Sequence, residues 1–288
     1  VVTIAETNIV VPTTEPTYPI YTTVTPTAQT APSDVILLAH GFKGFRNYSF
    51  LPFAAQHFAR CGFTVVRLDF SLNGMRGTAD RVIDLDAFAR NTIGREVDDV
   101  ATTLNAIIHQ NEFADVRRTM TGRIHLVGHS RGGGIVQLAG RNLITSPIPS
   151  LNLGKVVVWN SVSHWDRWTP RQRDAWKAAG FMEIENGRTG QKLRMDASYV
   201  DHVEHHHNEI NPVLAAATLG SRLLYIHAAA DLTVPLAEMR EARAQNGNIA
   251  DEHVISATTH TFGMTHPIDR ITPALTDVFD TTVEFLRS

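Results

Sequence analysis

The chain has 288 residues, 43% of them hydrophobic and 19% charged, with a formal net charge of −3 at pH 7. This is ample apolar material for one large core, whereas the basic stripe expected of a nucleic-acid binder is missing and no apolar run approaches the roughly 20 residues of a membrane span. A single cysteine, Cys61, rules out an internal disulfide, and its setting in Arg60-Cys61-Gly62-Phe63 reads as a small buried structural residue.

Residues 1–31 are rich in Thr and Pro, and stretches such as Val1-Val2-Thr3-Ile4 and Tyr18-Pro19-Ile20-Tyr21-Thr22-Thr23-Val24 alternate as edge strands or a proline-interrupted hairpin would. They are expected to form an N-terminal β extension of the main sheet. The opening residues lack the basic start and compact apolar core of a signal peptide, which points to the cytoplasm, a leader already removed being the alternative. Strands and helices then alternate: strand 34–39, helix near 50–60, strand 63–69, helix 95–109, strand 123–127, helix 132–143 and strand 155–160. After an irregular stretch come strand 222–227, a helix near 236–245, strand 252–256 and helix 272–287. Such alternation implies a mostly parallel sheet covered by helices on both faces. Helix 95–109 is the clearest, with Val97, Val100, Ala101, Leu104, Ile107 and Ile108 on one face and Glu96, Asp98, Asp99 and Asn105 off it.

The residues able to do chemistry follow predicted strands. Val35-Ile36-Leu37-Leu38-Ala39 runs into His40-Gly41-Phe42-Lys43-Gly44, a glycine-containing loop. Ile124, Leu126 and Val127 lead into Gly128-His129-Ser130-Arg131-Gly132, after which Ile135, Val136, Leu138 and Ala139 fall at helical spacing. A G-x-S-x-G turn between strand and helix holds a serine hydroxyl above the sheet, and its glycines sit where a Cβ would clash. The N–H of Arg131, at the start of the next helix, points to where negative charge would develop. The strand at 222–227 leads to Asp231 and Val234-Pro235, and the strand at 252–256 leads to Ala257-Thr258-Thr259-His260-Thr261-Phe262-Gly263. An acid in the first loop can orient an imidazole in the second, giving the order Ser130, Asp231, His260. Asp69 is the other acid with a claim, but it precedes Ser130; His266 shares the loop of His260 and is its rival.

Segment 161–220 breaks the alternation. Its Trp165, Trp168, Trp176 and Phe181 suit either an apolar pocket or packing of an insertion onto the main domain. In Asp201-His202-Val203-Glu204-His205-His206-His207, His202 and His206 share a helical face, as metal ligands would. Without an HExxH pattern or a cysteine partner, the preferred reading is an exposed segment that holds no metal. His129 is expected to pack under the elbow or touch substrate, and His40 to organise its loop by hydrogen bonding.

The segments HGFKGFR at 40–46, RLDFSLNG at 67–74, GHSRGG at 128–133, the Asp231 loop with Val234-Pro235, and HTFG at 260–263 resemble the α/β-hydrolase superfamily. Within it they are similar to the serine esterases and peptidase-like enzymes related to dienelactone hydrolases, from about Ser33 to the C-terminus. Dienelactone hydrolases use a cysteine nucleophile where this chain has Ser130, which argues against dienelactone as substrate. The resemblance implies one α/β-hydrolase domain over 1–288, with 161–220 as a small lid-like insertion. It also implies Ser130 as nucleophile, His260 as base in preference to His266, Asp231 as its partner, and the N–H groups of Phe42 and Arg131 as oxyanion donors. No cofactor or metal is expected. The expected reaction is cleavage of a small-molecule carboxylic ester through an acyl-enzyme. A serine peptidase is the alternative, although such enzymes usually carry a large extra domain, and a non-catalytic binding protein on the same scaffold is third.

Overall fold

The computed structural model describes residues 3–268 and 270–288; Val1 and Val2, part of the expected N-terminal strand, lie outside the described residues. The strands are β1 (Thr7–Val11), β2 (Ile20–Thr25), β3 (Ser33–Ala39), β4 (Thr64–Asp69), β5 (Met120–His129), β6 (Asn152–Trp159), β7 (Phe181–Asn186), β8 (Gln191–Asp196), β9 (Leu223–Ala228) and β10 (Asp251–Ile255). Among the described residues eight of them form one sheet in the order β1-β2-β4-β3-β5-β6-β9-β10. From β4 to β10 every neighbouring pair is parallel, while β1 and β2 add an antiparallel edge. The proline-bearing stretch 12–19 joins β1 to β2; the first strand lies at Thr7–Val11 and not at the alternating stretch 1–4, of which Thr3 and Ile4 belong to no strand.

Alternation along the central strands builds two cores. Val35, Leu37 and Ala39 of β3 face one apolar cluster and Ile36 and Leu38 face the other; Val156 and Val158 of β6 are likewise separated from Val157 and Trp159. The first cluster is covered by helices Ile93–His109 and Arg131–Thr145, the second by Leu51–Arg60 and Pro273–Arg287. Side-chain caps set two of these starts: Thr92 accepts from the Arg95 amide and Thr272 from the Leu275 amide. Among the described residues no helix is long and apolar enough to cross a membrane.

Two expectations need correction. Glu96 and Asp99 are not off the packed side of helix 93–109 but are buried, because other elements close over that flank and pair with them. Cys61 is only half-buried, since it caps the C-terminus of helix 51–60 at the edge of the second cluster.

The segment between β6 and β9 holds helices Pro170–Ala179, Ser198–His205 and Pro212–Leu219 and a separate β7–β8 antiparallel hairpin. The hairpin falls in the stretch that breaks the strand–helix alternation of the sequence. Its pattern of exposed and buried residues alternates, and Leu193 and Met195 bury their side chains in the first cluster.

Candidate active site

The predicted residues lie on loops at the carboxyl ends of parallel strands, where open α/β sheets gather ligands. His40 to Phe42 follow β3, Ser130 follows β5, Asp231 follows β9 and His260 follows β10; Asn160, which no motif marks, joins them after β6.

Ser130 is held at φ 56°, ψ −121° between β5 and helix 131–145. That conformation is sparsely populated for a side-chain-bearing residue and costs on the order of 1–3 kcal/mol. It persists because neighbours over-determine it. The Ser130 amide donates to the Trp159 carbonyl at 2.8 Å, and its own carbonyl accepts from Gly133 at 3.0 Å and Val162 at 3.3 Å. Close approach explains two glycines: a Cβ on Gly128 would overlap the Gly132 carbonyl, and one on Gly132 would overlap the His40 carbonyl. The loop after β3 is thereby pressed onto the elbow, with an ideal Cβ on Gly41 standing 3.0 Å from Ser130 Cβ.

Asp231 is buried, and its two carboxylate oxygens are divided between tasks. Oδ1 accepts from the Thr233 and Val234 amides at 2.8 and 2.9 Å, while Oδ2 accepts from His260 Nδ1 at 2.7 Å. Burial works against its charged form, but the bond from His260 and the two amides outweigh it and hold the carboxyl below its ordinary pKa. The backbone of His260 is tethered too: its carbonyl accepts from His129 Nε2 at 2.9 Å and Asn160 Nδ2 at 2.8 Å. Among the described residues neither Ser130 Oγ nor His260 Nε2 has a hydrogen-bond partner, and the two residues line one cavity of about 220 Å³.

The supporting histidines are locked neutral. His40 Nδ1 donates to the Gly41 carbonyl at 2.8 Å, and Nε2 accepts from the Phe70 amide and from Asn73 at 3.4 and 3.3 Å. Burial, with Arg131 and Arg46 nearby, pushes its pKa down to about 4. His129 stands edge-on to Phe50 beneath the elbow, and burial together with His260 pushes it down to about 3. Among the described residues the amides of Phe42 and Arg131 have no acceptor, and both residues flank Ser130 in a second cavity of about 250 Å³. Larger clefts elsewhere, one of about 550 Å³, contain neither Ser130 nor His260.

The side chain of Arg131 does more than the sequence suggested. Its buried guanidinium donates from Nε to Glu96 Oε2 at 2.8 Å and lies 5.2 Å from the ring centres of both Phe42 and Tyr199. One cation thus joins the elbow, the loop after β3, helix 93–109 and helix 198–205. Trp165 and Trp168 line the 250 Å³ cavity with Tyr199 and Met195, whereas Trp176 is buried behind them against Tyr199, and Phe181 is largely exposed under Arg194.

The remaining candidates are engaged elsewhere. His266 Nδ1 accepts from the Ser49 amide at 3.0 Å and its ring stacks on Tyr48. Asp69 is buried in a pair with Arg46. His202 accepts from the Gly94 amide at 3.0 Å and its ring lies tilted against His206, which bonds Glu209 at 2.8 Å. Asn160, Glu96 and Tyr199 were not singled out from sequence. Asn160 had a faint signal, as a polar residue directly after a strand.

Several solved structures share this fold. Est1E from Butyrivibrio proteoclasticus with ferulic acid bound superimposes with a TM-score of 0.68 at 15% identity over 97% of this chain and 98% of that one. Dienelactone hydrolase from Anabaena variabilis gives 0.59 at 16% identity over 98% and 97%. Acylaminoacyl peptidase from Pyrococcus horikoshii gives 0.66 at 14% identity, with all of this chain covering 42% of that one. At such identities the likeness speaks for the fold. No curated protein matches the sequence. The model of the alpha/beta hydrolase family matches residues 36–274, and the chain belongs to that family.

Proposed function

We propose that the protein is a serine hydrolase that cleaves carboxylic esters through an acyl-enzyme, with Ser130 as nucleophile, His260 as general base and Asp231 as its partner. The observation that carries this reading is the His260–Asp231 bond of 2.7 Å beside a cavity that Ser130 and His260 share. Asp231 holds Nδ1 protonated, which leaves Nε2 of His260 as the lone pair facing the cavity. In the reaction Nε2 takes the Ser130 proton as Oγ attacks the carbonyl carbon. The amides of Phe42 and Arg131 receive the negative oxygen, and the protonated imidazole passes its proton to the leaving oxygen. Water then repeats the sequence to free the acid. Serine is a weak nucleophile near neutral pH, so base and oxyanion donors must act together; losing one donor typically costs about 10²–10³ in turnover.

The proton transfer also orients the substrate. The leaving oxygen must lie next to His260, which lines the 220 Å³ cavity and not the 250 Å³ one. The leaving group therefore occupies the first and the acyl group the second, whose wall of Trp165, Trp168, Tyr199 and Met195 suits an apolar or aromatic acid. Ferulic acid, bound to Est1E, is an acid of that kind.

The test combines labelling with a fluorophosphonate, mass spectrometry of the Ser130 peptide, and a panel of p-nitrophenyl esters beside aminoacyl anilides. Labelling of Ser130 with ester turnover is expected, and Ser130→Ala should abolish both, with a loss on the order of 10⁶-fold and an unchanged fold. Anilide turnover in place of ester turnover would make the protein a peptidase. An unlabelled Ser130, or a Ser130→Ala variant with full ester turnover, would remove the serine from the reaction.

A further inference from the structure

The leaving-group cavity is the more polar of the two, and its charges are of one sign. Among the described residues Lys43 and Arg188 line it together with Ser130 and His260, and no carboxylate side chain does. Among the described residues neither cation has an acidic partner: Lys43 Nζ donates to the Glu185 carbonyl at 3.1 Å and Arg188 Nη2 to the Asp80 carbonyl. This contrasts with Arg131 and Arg167 in the acyl cavity, which are paired with Glu96 and Glu238. Two cations beside a reactive centre in a chain of net charge −3 concentrate positive potential there.

A third group points the same way. Asn186, at the end of β7, lines the cavity and is 97% buried, and among the described residues its Nδ2 has no hydrogen-bond partner. A buried amide without an acceptor costs about 1–3 kcal/mol, a cost that an acceptor arriving with a ligand would remove. The β7–β8 turn is built to hold this group in place. Asn186 Oδ1 accepts from the Arg188 amide at 3.2 Å, and the Arg188 guanidinium lies over the rings of Phe45 and Tyr48 at 5.4 and 5.9 Å. Burial lowers the pKa of Lys43, as expected for a cation with no opposite charge beside it.

We infer that the preferred ester carries an anionic oxygen group, a carboxylate or phosphate, on its leaving-group side, received by Lys43, Arg188 and Asn186 Nδ2. This rests on the Ser130–His260 reading above, since that reading places the leaving group in this cavity. The charged group is a handle and is not itself transformed. Ser130 Oγ bonds to the acyl carbon, the carbon–oxygen bond to the alcohol breaks, and the proton taken from Ser130 passes through His260 to the departing oxygen. The alcohol leaves with its anionic group intact.

The experiment compares three esters of one aromatic acid whose alcohols are 3-hydroxybenzoate, 3-hydroxyphenyl phosphate and neutral 3-hydroxybenzamide. Either charged ester should exceed the neutral one in kcat/KM by about tenfold or more, the scale of a charge-assisted hydrogen bond. That ratio should shrink as salt is raised from about 0.02 to 0.5 M. Arg188→Gln and Lys43→Gln should each bring it toward one. Because both substrates meet the same preparation, misfolded protein cancels from the ratio. The larger of the two charged ratios identifies the anion. A wild-type ratio near one, or a ratio that survives both substitutions, overturns the inference while labelling of Ser130 still upholds the underlying reaction. Failure to label Ser130 overturns both.

Discussion

The elbow at 128–134 and the segment between β6 and β9 meet at one cleft, but they are constrained in different ways. The elbow is specified by backbone contacts within a few residues and against the loops after β3 and β6. Gly128 and Gly132 are dictated by backbone approach, and Ser130 is held in its strained conformation by bonds to Trp159, Gly133 and Val162. The other segment contributes side chains from helices and a hairpin far apart along the chain, and it shapes the space around the serine rather than the serine itself. Its Trp165, Trp168 and Tyr199 line one cavity and its Asn186 and Arg188 the other. If Ser130 reacts as proposed, the comparison teaches that reactivity and selectivity would rest on separable parts of this molecule. Arg131 is the exception, because it joins the two through Glu96, Phe42 and Tyr199.

This division can be broken by substitution. The largest effect is expected in the reactive part: Asp231→Asn should lower kcat for esters by about 10⁴-fold, because the amide favours the wrong imidazole tautomer, with little change in the melting temperature. A melting temperature that collapses with activity would make Asp231 a structural residue. Next, Glu96→Ala should leave the buried Arg131 guanidinium uncompensated and destabilise the protein by about 3–5 kcal/mol in chemical denaturation. A double variant Glu96→Leu with Arg131→Met should recover most of that stability. If it does not, the junction serves as more than a charge pair.

Acid should act on the framework in a defined window. His40 and His129 have folded-state pKa values of about 4 and 3, below their unfolded value of about 6.5. The unfolded chain therefore binds protons first. Their contribution is complete above about pH 6.5 and is lost as pH falls toward 4 and then 3. Buried Asp99 opposes this in part: its carboxyl is raised to about 7, so the penalty for its charge fades over the same descent. Melting temperatures measured from pH 7 to 4 should fall, and His129→Asn should flatten the slope. A flat wild-type profile would contradict the neutral, buried assignment of both rings. The smallest effect belongs to the acyl wall: Trp168→Ala should raise KM for aromatic acyl esters by about tenfold while acetyl esters change little, since the lost contact is apolar area. An equal loss on both esters would place Trp168 in the reactive part instead.

The framework was legible in the sequence because it depends on short-range rules. The short apolar runs Val35–Ala39 and Val156–Trp159, the helical stripe of 93–109, and G-x-S-x-G between strand and helix each follow from backbone geometry that a few residues disclose. The order Ser130, Asp231, His260 needed only that each follow its own strand. What stayed hidden were the pairings that a periodic pattern does not encode. Glu96 and Asp99 look like solvent-facing acids until the Arg131 and Ser71 side chains close over them, and Asn160 acquires meaning only when the loop bearing His260 comes to rest on it. The choice between His260 and His266 is of the same kind: one loop carries both, and packing brings His260 to Asp231 and His266 to Ser49.

Local propensity, hydrophobic spacing and the placing of glycines thus marked the strands, the helices and the turn that presents Ser130, since those signals lie between residues close in the chain. The two-lobed cleft, its unpaired cations and its aromatic wall were decided by tertiary structure alone. They arise where the loops after β3, β5, β6, β9 and β10 meet the β7–β8 turn and the helices of the inserted segment, and long-range contact of that sort leaves no period for the eye to find.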